Sequence, residues 1–227
     1  MLADGWPDAT SAWALVLAGL GLLLFRLAHV VPARLPIALP KWLRQRPASE
    51  GCIMAVLGSG GHTAEMLPLI DTLAKRPDLA GARREFVVAA TDHTSVPRAE
   101  AAGTLSLPRD RLHVIPRSRE VGQSWASTVP ATLRALTASV WPVLASRPRL
   151  LVVNGPGTCV PVAAAALLGR FLGVCATRIV FVESVCRVES LSLTGRIMLA
   201  GLADRVLVQW PQLAARHRGC EYIGITM

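Results

Sequence analysis

Short apolar runs recur along this chain, separated by stretches in which apolar residues fall at helical spacing. Residues 52–57, 85–90, 111–115, 150–153, 178–182 and 205–208 are rich in Val, Ile, Leu and Phe. Runs this short, with little polar alternation, are the pattern of strands covered on both faces. Between them Met66, Leu67, Ile70, Leu73 and Ala74 share one helical face, and Pro77 closes the segment. Residues 97–103, 133–144, an Ala/Leu-rich stretch ending at Leu172, and 191–202 read as further helices. Pro68 must lie in the first turn of its helix or kink it, and Pro142 interrupts the 133–144 segment. Strand alternating with helix predicts an α/β fold, a Rossmann-like parallel sheet with helices on both faces.

A longer apolar run precedes this domain. Residues 12–31, AWALVLAGLGLLLFRLAHVV, would form a helix about 30 Å long, which matches a bilayer core. Arg26 and His29 lie toward its end, where long side chains reach the interface. Asp4 and Asp8 precede the run, whereas Arg34, Lys41, Arg44 and Arg46 follow it. The positive-inside rule then makes 1–11 a lumenal N-terminus, 12–31 a single transmembrane helix, and the main domain cytosolic. A cleavable signal peptide would want basic residues where the two Asp stand. Residues 32–50 form a basic, Pro-rich juxtamembrane linker; with Trp42 it suits the headgroup surface, and it serves equally as a spacer. The domain proper is 51–227.

Composition narrows the partners. Hydrophobic residues make up 52% of the chain, and the mean hydropathy of +0.44 points to membrane contact. The formal charge of +9 suits nucleic acid, acidic lipid or phosphorylated substrates. One Tyr and four Phe leave few platforms for base stacking, and no nucleic-acid motif is present, so nucleic acid is the weakest of the three. The five Cys are odd in number and show no C-x-x-C, which implies reduced core thiols rather than a zinc or disulfide framework.

In a parallel sheet, ligands bind beyond the C-terminal ends of the strands. The segments expected there are 58–63, 91–94, 116–124, 154–158 and 183–187. Gly58-Ser59-Gly60-Gly61-His62-Thr63 links a strand to a helix, so backbone amides and the positive helix end would favour an anion such as a phosphate. It is neither a dinucleotide fingerprint nor a Walker A loop, because Thr63 replaces the third glycine and no Lys-Ser/Thr follows. His62 is the candidate base, biased by its helix position toward the neutral form; Glu183 is the alternative, although it could instead cap the next helix. Arg117, Arg119 and Arg187 are candidate anion clamps, with Glu120 a further carboxylate, although the first two Arg could simply solvate a loop. His93 and His113 read as structural. No metal-ligand cluster and no cofactor are expected.

Several of these segments together resemble a known family. They are Leu57-Gly-Ser-Gly-Gly-His-Thr63, Pro116-Arg-Ser-Arg-Glu-Val-Gly-Gln-Ser124, Asn154-Gly-Pro-Gly-Thr-Cys-Val-Pro161, Phe181-Val-Glu-Ser184, Cys186-Arg-Val188, Ser192-Leu-Thr-Gly195 and Ala203-Asp-Arg-Val-Leu-Val-Gln-Trp-Pro211. They are similar to the membrane-anchor subunits of the asparagine-linked glycosylation N-acetylglucosaminyltransferase, which adds the second GlcNAc to GlcNAc-diphosphodolichol. The resemblance runs in order from residue 52 to about 223; the chain departs from it in the tail Tyr222-Ile-Gly-Ile-Thr-Met227. It implies one half of a two-domain inverting glycosyltransferase related to the bacterial peptidoglycan enzyme, inactive alone and held at the cytosolic face of the endoplasmic reticulum membrane. This chain would bind the dolichol-linked acceptor, and a separate soluble subunit would bind UDP-GlcNAc. On the strand-end face, Gly58, Ser59, Gly60, Gly61, Thr63, Arg117, Arg119, Glu120, Gln123, Asn154, Gly155, Gly157 and Thr158 are candidate phosphate or acceptor contacts. The soluble subunit is expected on the C-terminal region, at Val206 to Pro211 and at Tyr222 and Ile223.

Overall fold

The computed structural model describes residues 9–30 and 51–226, apart from residues 80, 108 and 121. All six expected strands form, and a seventh joins them. They are β1 Cys52–Leu57, β2 Arg83–Ala89, β3 Arg111–Ile115, β4 Leu150–Asn154, β5 Arg178–Val182, β6 Arg205–Val208 and β7 Cys220–Tyr222. Every pair is parallel and the order is β3-β2-β1-β4-β5-β6-β7. That order is the doubly wound arrangement, with its reversal between β1 and β4.

The helices are α1 Ala9–Val30, α2 Gly61–Ala74, α3 Ser95–Ala101, α4 Trp125–Ser146, α5 Cys159–Phe171, α6 Leu193–Ile197 and α7 Pro211–Arg216. A π-helical turn, Met198–Leu202, continues α6, and its Gly201 at φ 139° breaks the helical path. Pro68 lies well inside α2, so the helix begins earlier than its apolar spacing implies. Both Pro130 and Pro142 are accommodated in α4, which starts at Trp125 rather than near Leu133. Ser124 sets that start, because its Oγ accepts the Ser127 amide at 3.3 Å. Arg147 ends the helix in the left-handed region, at φ 45°.

Alternation along β1 divides the core between the two faces of the sheet. Met54 and Val56 join Val87, Leu151, Val153 and Phe181 on one side, with Val162, Ala163 and Ala166 of α5. Ile53, Ala55 and Leu57 join Phe86 on the other, against Met66 and Ile70 of α2. Truncating a fully buried phenylalanine such as Phe86 or Phe181 to Ala would cost about 3–5 kcal/mol. Cys52, Cys159 and Cys175 belong to this buried interior, and burial pushes the first two thiols up to about 12. Cys186 departs from the expectation of core thiols, being exposed.

The N-terminal apolar run is helical, starting at Ala9 rather than Ala12. Its Leu17, Leu20, Leu23, Leu24, Phe25 and Leu27 are exposed, and Arg170 of α5 donates to the Val30 carbonyl at 2.5 Å. Among the described residues no helix is long and apolar enough to cross a membrane. The side chains of residues 12–16, 22, 28 and 29, and the whole of Val31, lie outside those residues, as do residues 1–8 and the linker expected at 32–50.

Candidate functional site

The β1 loop and the β4 loop emerge on either side of the sheet's reversal, so they meet although 92 residues separate their key side chains. β1 ends at Leu57, and Gly60, at φ 71°, turns the chain into α2. This puts His62 in the first turn of α2, facing Asn154, the last residue of β4. His62 Nδ1 lies 2.9 Å from Asn154 Oδ1. The Asn154 amide nitrogen donates in turn to Glu65 Oε2 at 2.8 Å. Ser184, just past β5, donates to Glu65 Oε1 at 2.7 Å. A histidine, an amide, a carboxylate and a hydroxyl from three chain segments thus form one hydrogen-bonded chain.

This chain borders a cavity of about 380 Å³ whose lining includes Ser59, His62, Glu65, Gly155, Arg187 and Ser192. Among the described residues His62 Nε2 has no hydrogen-bond partner, and neither does the Arg187 guanidinium. An imidazole, a guanidinium and the N-terminus of α2 therefore share one opening. Such a set can bind an anion and accept a proton from a nearby hydroxyl.

The remaining candidates are placed differently. Thr63 is fully buried; its hydroxyl donates to the Gly58 carbonyl at 2.5 Å and lies 2.6 Å from Ser95 Oγ, so it braces the glycine loop from beneath. Asp92 accepts from Ser95 Oγ at 2.6 Å. Burial would raise that carboxyl, but the bonds from Ser95 and Thr94 prevail and hold it below its usual value. Arg98 of α3 donates to the Gly60 carbonyl at 2.7 Å. Ser59 and Gly61 are exposed at the mouth, and Gly58 is packed against Pro156, where an added Cβ would come within 2.5 Å.

Arg117 pairs with Glu120 at 3.4 Å, and Arg119 donates to the Gln123 carbonyl at 3.3 Å. Gln123 Oε1 accepts the Glu120 amide at 2.9 Å, so this segment is largely tied to itself. It abuts the β4 loop through Ser118, whose Oγ would stand 3.3 Å from a Cβ on Gly157. Thr158 is buried before α5. None of these residues borders the His62 cavity.

Glu183 is fully buried, with its carboxylate taking the Ser184 amide at 3.2 Å, the Ser192 amide at 2.9 Å and the Ser192 hydroxyl at 3.0 Å. Ser192 Oγ in turn accepts the Gly195 amide at the start of α6. Glu183 lines the same cavity as His62, and the helix cap beside it is Ser192, which the Glu183 carboxylate holds in place. His113 bonds Glu85 at 2.6 Å, in keeping with a structural role, and His93 is exposed. Glu65 was not among the sequence candidates. Its one available signal was its spacing of three residues after His62, which puts both on one face of α2. Arg187 was named as a clamp, and it is the arginine that reaches the cavity.

Fold and site together define a Rossmann-like α/β domain with its pocket at the sheet's reversal. A family model described as "Oligosaccharide biosynthesis protein Alg14 like" matches residues 53–226, and the chain belongs to that family. The proteins named UDP-N-acetylglucosamine transferase subunit ALG14 are similar to it along most of their length. The one from Mus musculus is 44% identical, covering 76% of this chain and 81% of its own. That from Candida albicans is 37% identical and covers 90% of both. Among solved structures, MurG of Acinetobacter baumannii superposes with a TM-score of 0.54 at 15% identity, over 78% of this chain and 46% of MurG. The UDP-GlcNAc 2-epimerase of Neisseria meningitidis gives 0.54 at 13%, over 77% of this chain and 47% of its own. This chain therefore spans about half of each of these larger proteins.

Proposed function

We propose that this chain is the acceptor-binding, membrane-anchoring half of an inverting glycosyltransferase that moves GlcNAc from UDP-GlcNAc to GlcNAc-diphosphodolichol in lipid-linked oligosaccharide synthesis. Its donor site resides on a separate soluble subunit. The carrying observation is the cavity lined by His62, whose Nδ1 is engaged by Asn154, together with Arg187 and the first residues of α2. In this reading the acceptor diphosphate is held by the glycine-loop amides and by Arg187. The acceptor sugar hydroxyl then points at His62. His62 Nε2 takes the hydroxyl proton, the freed oxygen attacks the anomeric carbon, and the bond to the UDP oxygen breaks with inversion. UDP leaves with that electron pair, and no covalent enzyme intermediate forms.

The match to about half of MurG supports a half-enzyme, as does the relatives' description as transferase subunits. Residues 12–31 serve as the anchor, which holds the cavity at the cytosolic surface of the endoplasmic reticulum membrane where the lipid acceptor lies. The row of exposed leucines on α1 supports this part of the reading. The test is GlcNAc transfer to a lipid diphosphate acceptor, measured with the full chain alone and with the soluble subunit added. Transfer only in the combined sample is expected. Robust transfer by the chain alone would overturn the half-enzyme reading.

A further inference from the structure

Glu65 is 3% exposed, yet it forms no ion pair among the described residues. Its two oxygens face two different parts of the site. Oε2 accepts from Asn154 at 2.8 Å, and Oε1 accepts from Ser184 at 2.7 Å. Ser184 Oγ also accepts the Cys186 amide at 3.3 Å, and the Ser184 carbonyl accepts the Arg187 amide at 2.9 Å. One carboxylate thus connects His62 to the turn that presents Arg187.

The direction of these bonds has a chemical consequence. A carboxylate accepts hydrogen bonds and donates none. Asn154 must therefore turn its NH2 to Glu65 and its oxygen to His62. That oxygen is an acceptor, so Nδ1 of His62 must carry the proton in the neutral ring, which leaves Nε2 as the bare nitrogen toward the cavity. With a neutral apolar group at position 65, the Asn154 amide would be free to turn over. It would then offer NH2 to Nδ1, and the proton would move to Nε2, the wrong atom for accepting one.

We propose that Glu65 is the positioning residue of this site: through Asn154 it fixes which His62 nitrogen faces the cavity, and through Ser184 it fixes the turn that carries Arg187. The inference rests on His62 being the base and adds the residue that makes it one. Buried placement has a cost for a carboxylate, which is offset here by the two directed donors.

The test compares Glu65→Met, Glu65→Gln and Ser184→Ala in the full chain combined with the soluble donor subunit. Turnover and acceptor KM are measured, together with 15N spectra of the histidine rings, His62 being assigned by difference from His62→Gln. Glu65→Met should lower kcat by on the order of 100-fold and move His62 away from the pure Nδ1–H form. Glu65→Gln should recover most of the turnover, since its carbonyl can accept from Asn154 while its NH2 turns to Ser184 Oγ. Ser184→Ala should leave the His62 form unchanged and raise the acceptor KM. If Glu65→Met fails to fold, the other two variants and the spectra decide. A His62 ring carrying its proton on Nε2 in the wild-type chain would overturn the proposal, as would Glu65→Met with normal turnover. Near wild-type turnover of His62→Gln would remove the base reading instead, while the spectra would still report whether Glu65 governs the ring.

Discussion

The ring of His62 fills the space left by the missing side chain of Gly155. A Cβ built on Gly155 would stand 2.2 Å from His62 Cε1 and 2.3 Å from Nδ1, and the residue's φ of +67° already lies in the left-handed region. The glycine after β4 is thus an accommodation to the histidine after β1. It puts the imidazole over the β4 loop, with Asn154 underneath.

Gly155→Ala should therefore act on the site more than its size implies. The methyl group must displace the imidazole, and the left-handed backbone adds roughly 1 kcal/mol of strain. Turnover is expected to fall about as far as in His62→Ala, on the order of 100-fold, with a modest drop in Tm. Wild-type turnover in Gly155→Ala would show that the ring need not occupy this position.

His62 and Glu183, two candidates for one role, should separate by experiment. His62→Ala removes a half-buried ring bonded to one partner, so turnover should fall while Tm barely moves. Glu183→Gln leaves one or more of three buried or half-buried donors facing an NH2 group, which costs about 1–3 kcal/mol. Thermal unfolding should register that loss, and any fall in activity should follow the folded fraction. A stable Glu183→Gln protein with normal acceptor binding and abolished turnover would restore Glu183 as the base.

A second prediction on stability concerns the opposite end of the sheet. Glu85 of β2 is buried and accepts from Ser146 and from His113. Burial alone would raise its carboxyl, but those two bonds, with the charges on His113 and Arg83, outweigh it and hold the group below its ordinary value. A carboxyl lowered in the folded state stabilises fully above its unfolded value and loses that contribution as pH falls through the folded one. Acid unfolding should accordingly steepen below the ordinary carboxylate range, and Glu85→Gln should flatten that limb while lowering stability at neutral pH. An unchanged acid limb in Glu85→Gln would remove Glu85 from the acid response.

The legible parts of this fold were those with local patterns. Six strands announced themselves because each is covered on both faces and so is written in apolar residues. β7 did not, since it has three half-buried or exposed residues at a sheet edge and reads like a tail. The first turns of α4 are solvated and carry Pro130, which hides them from any search for apolar spacing. At the site, His62 and the glycine loop were visible as a strand–turn–helix junction. The bond from His62 to Asn154 was not, because it exists only once β4 is inserted beside β1. Arg117 and Arg119 look like anion clamps in sequence, yet Glu120 and Gln123, a few residues on, engage them.

The soluble subunit is expected to dock on the C-terminal region of the chain. Of the residues expected to meet it there, Val206 and Val208 are fully buried and belong to the core. Trp210 donates its indole N–H to the Val185 carbonyl at 2.6 Å, so it holds the loop beside the site. The exposed apolar residues are further on: Tyr222 at 53%, Ile223 at 38% and Ile225 at 57%. Deleting residues 220–227 would not test them cleanly. It would strip β7 from β6 and remove the bonds from the Thr226 amide and hydroxyl to Gln209 Oε1, while Gln209 itself donates to the Glu183 carbonyl. Loss of association could then reflect a damaged site. Tyr222→Lys and Ile225→Glu change only outward side chains and leave those bonds in place. Together they should weaken the soluble subunit's binding at least tenfold, about 1.4 kcal/mol, with Tm and acceptor binding unchanged. Wild-type affinity in the double variant would move the interface off this edge of the sheet.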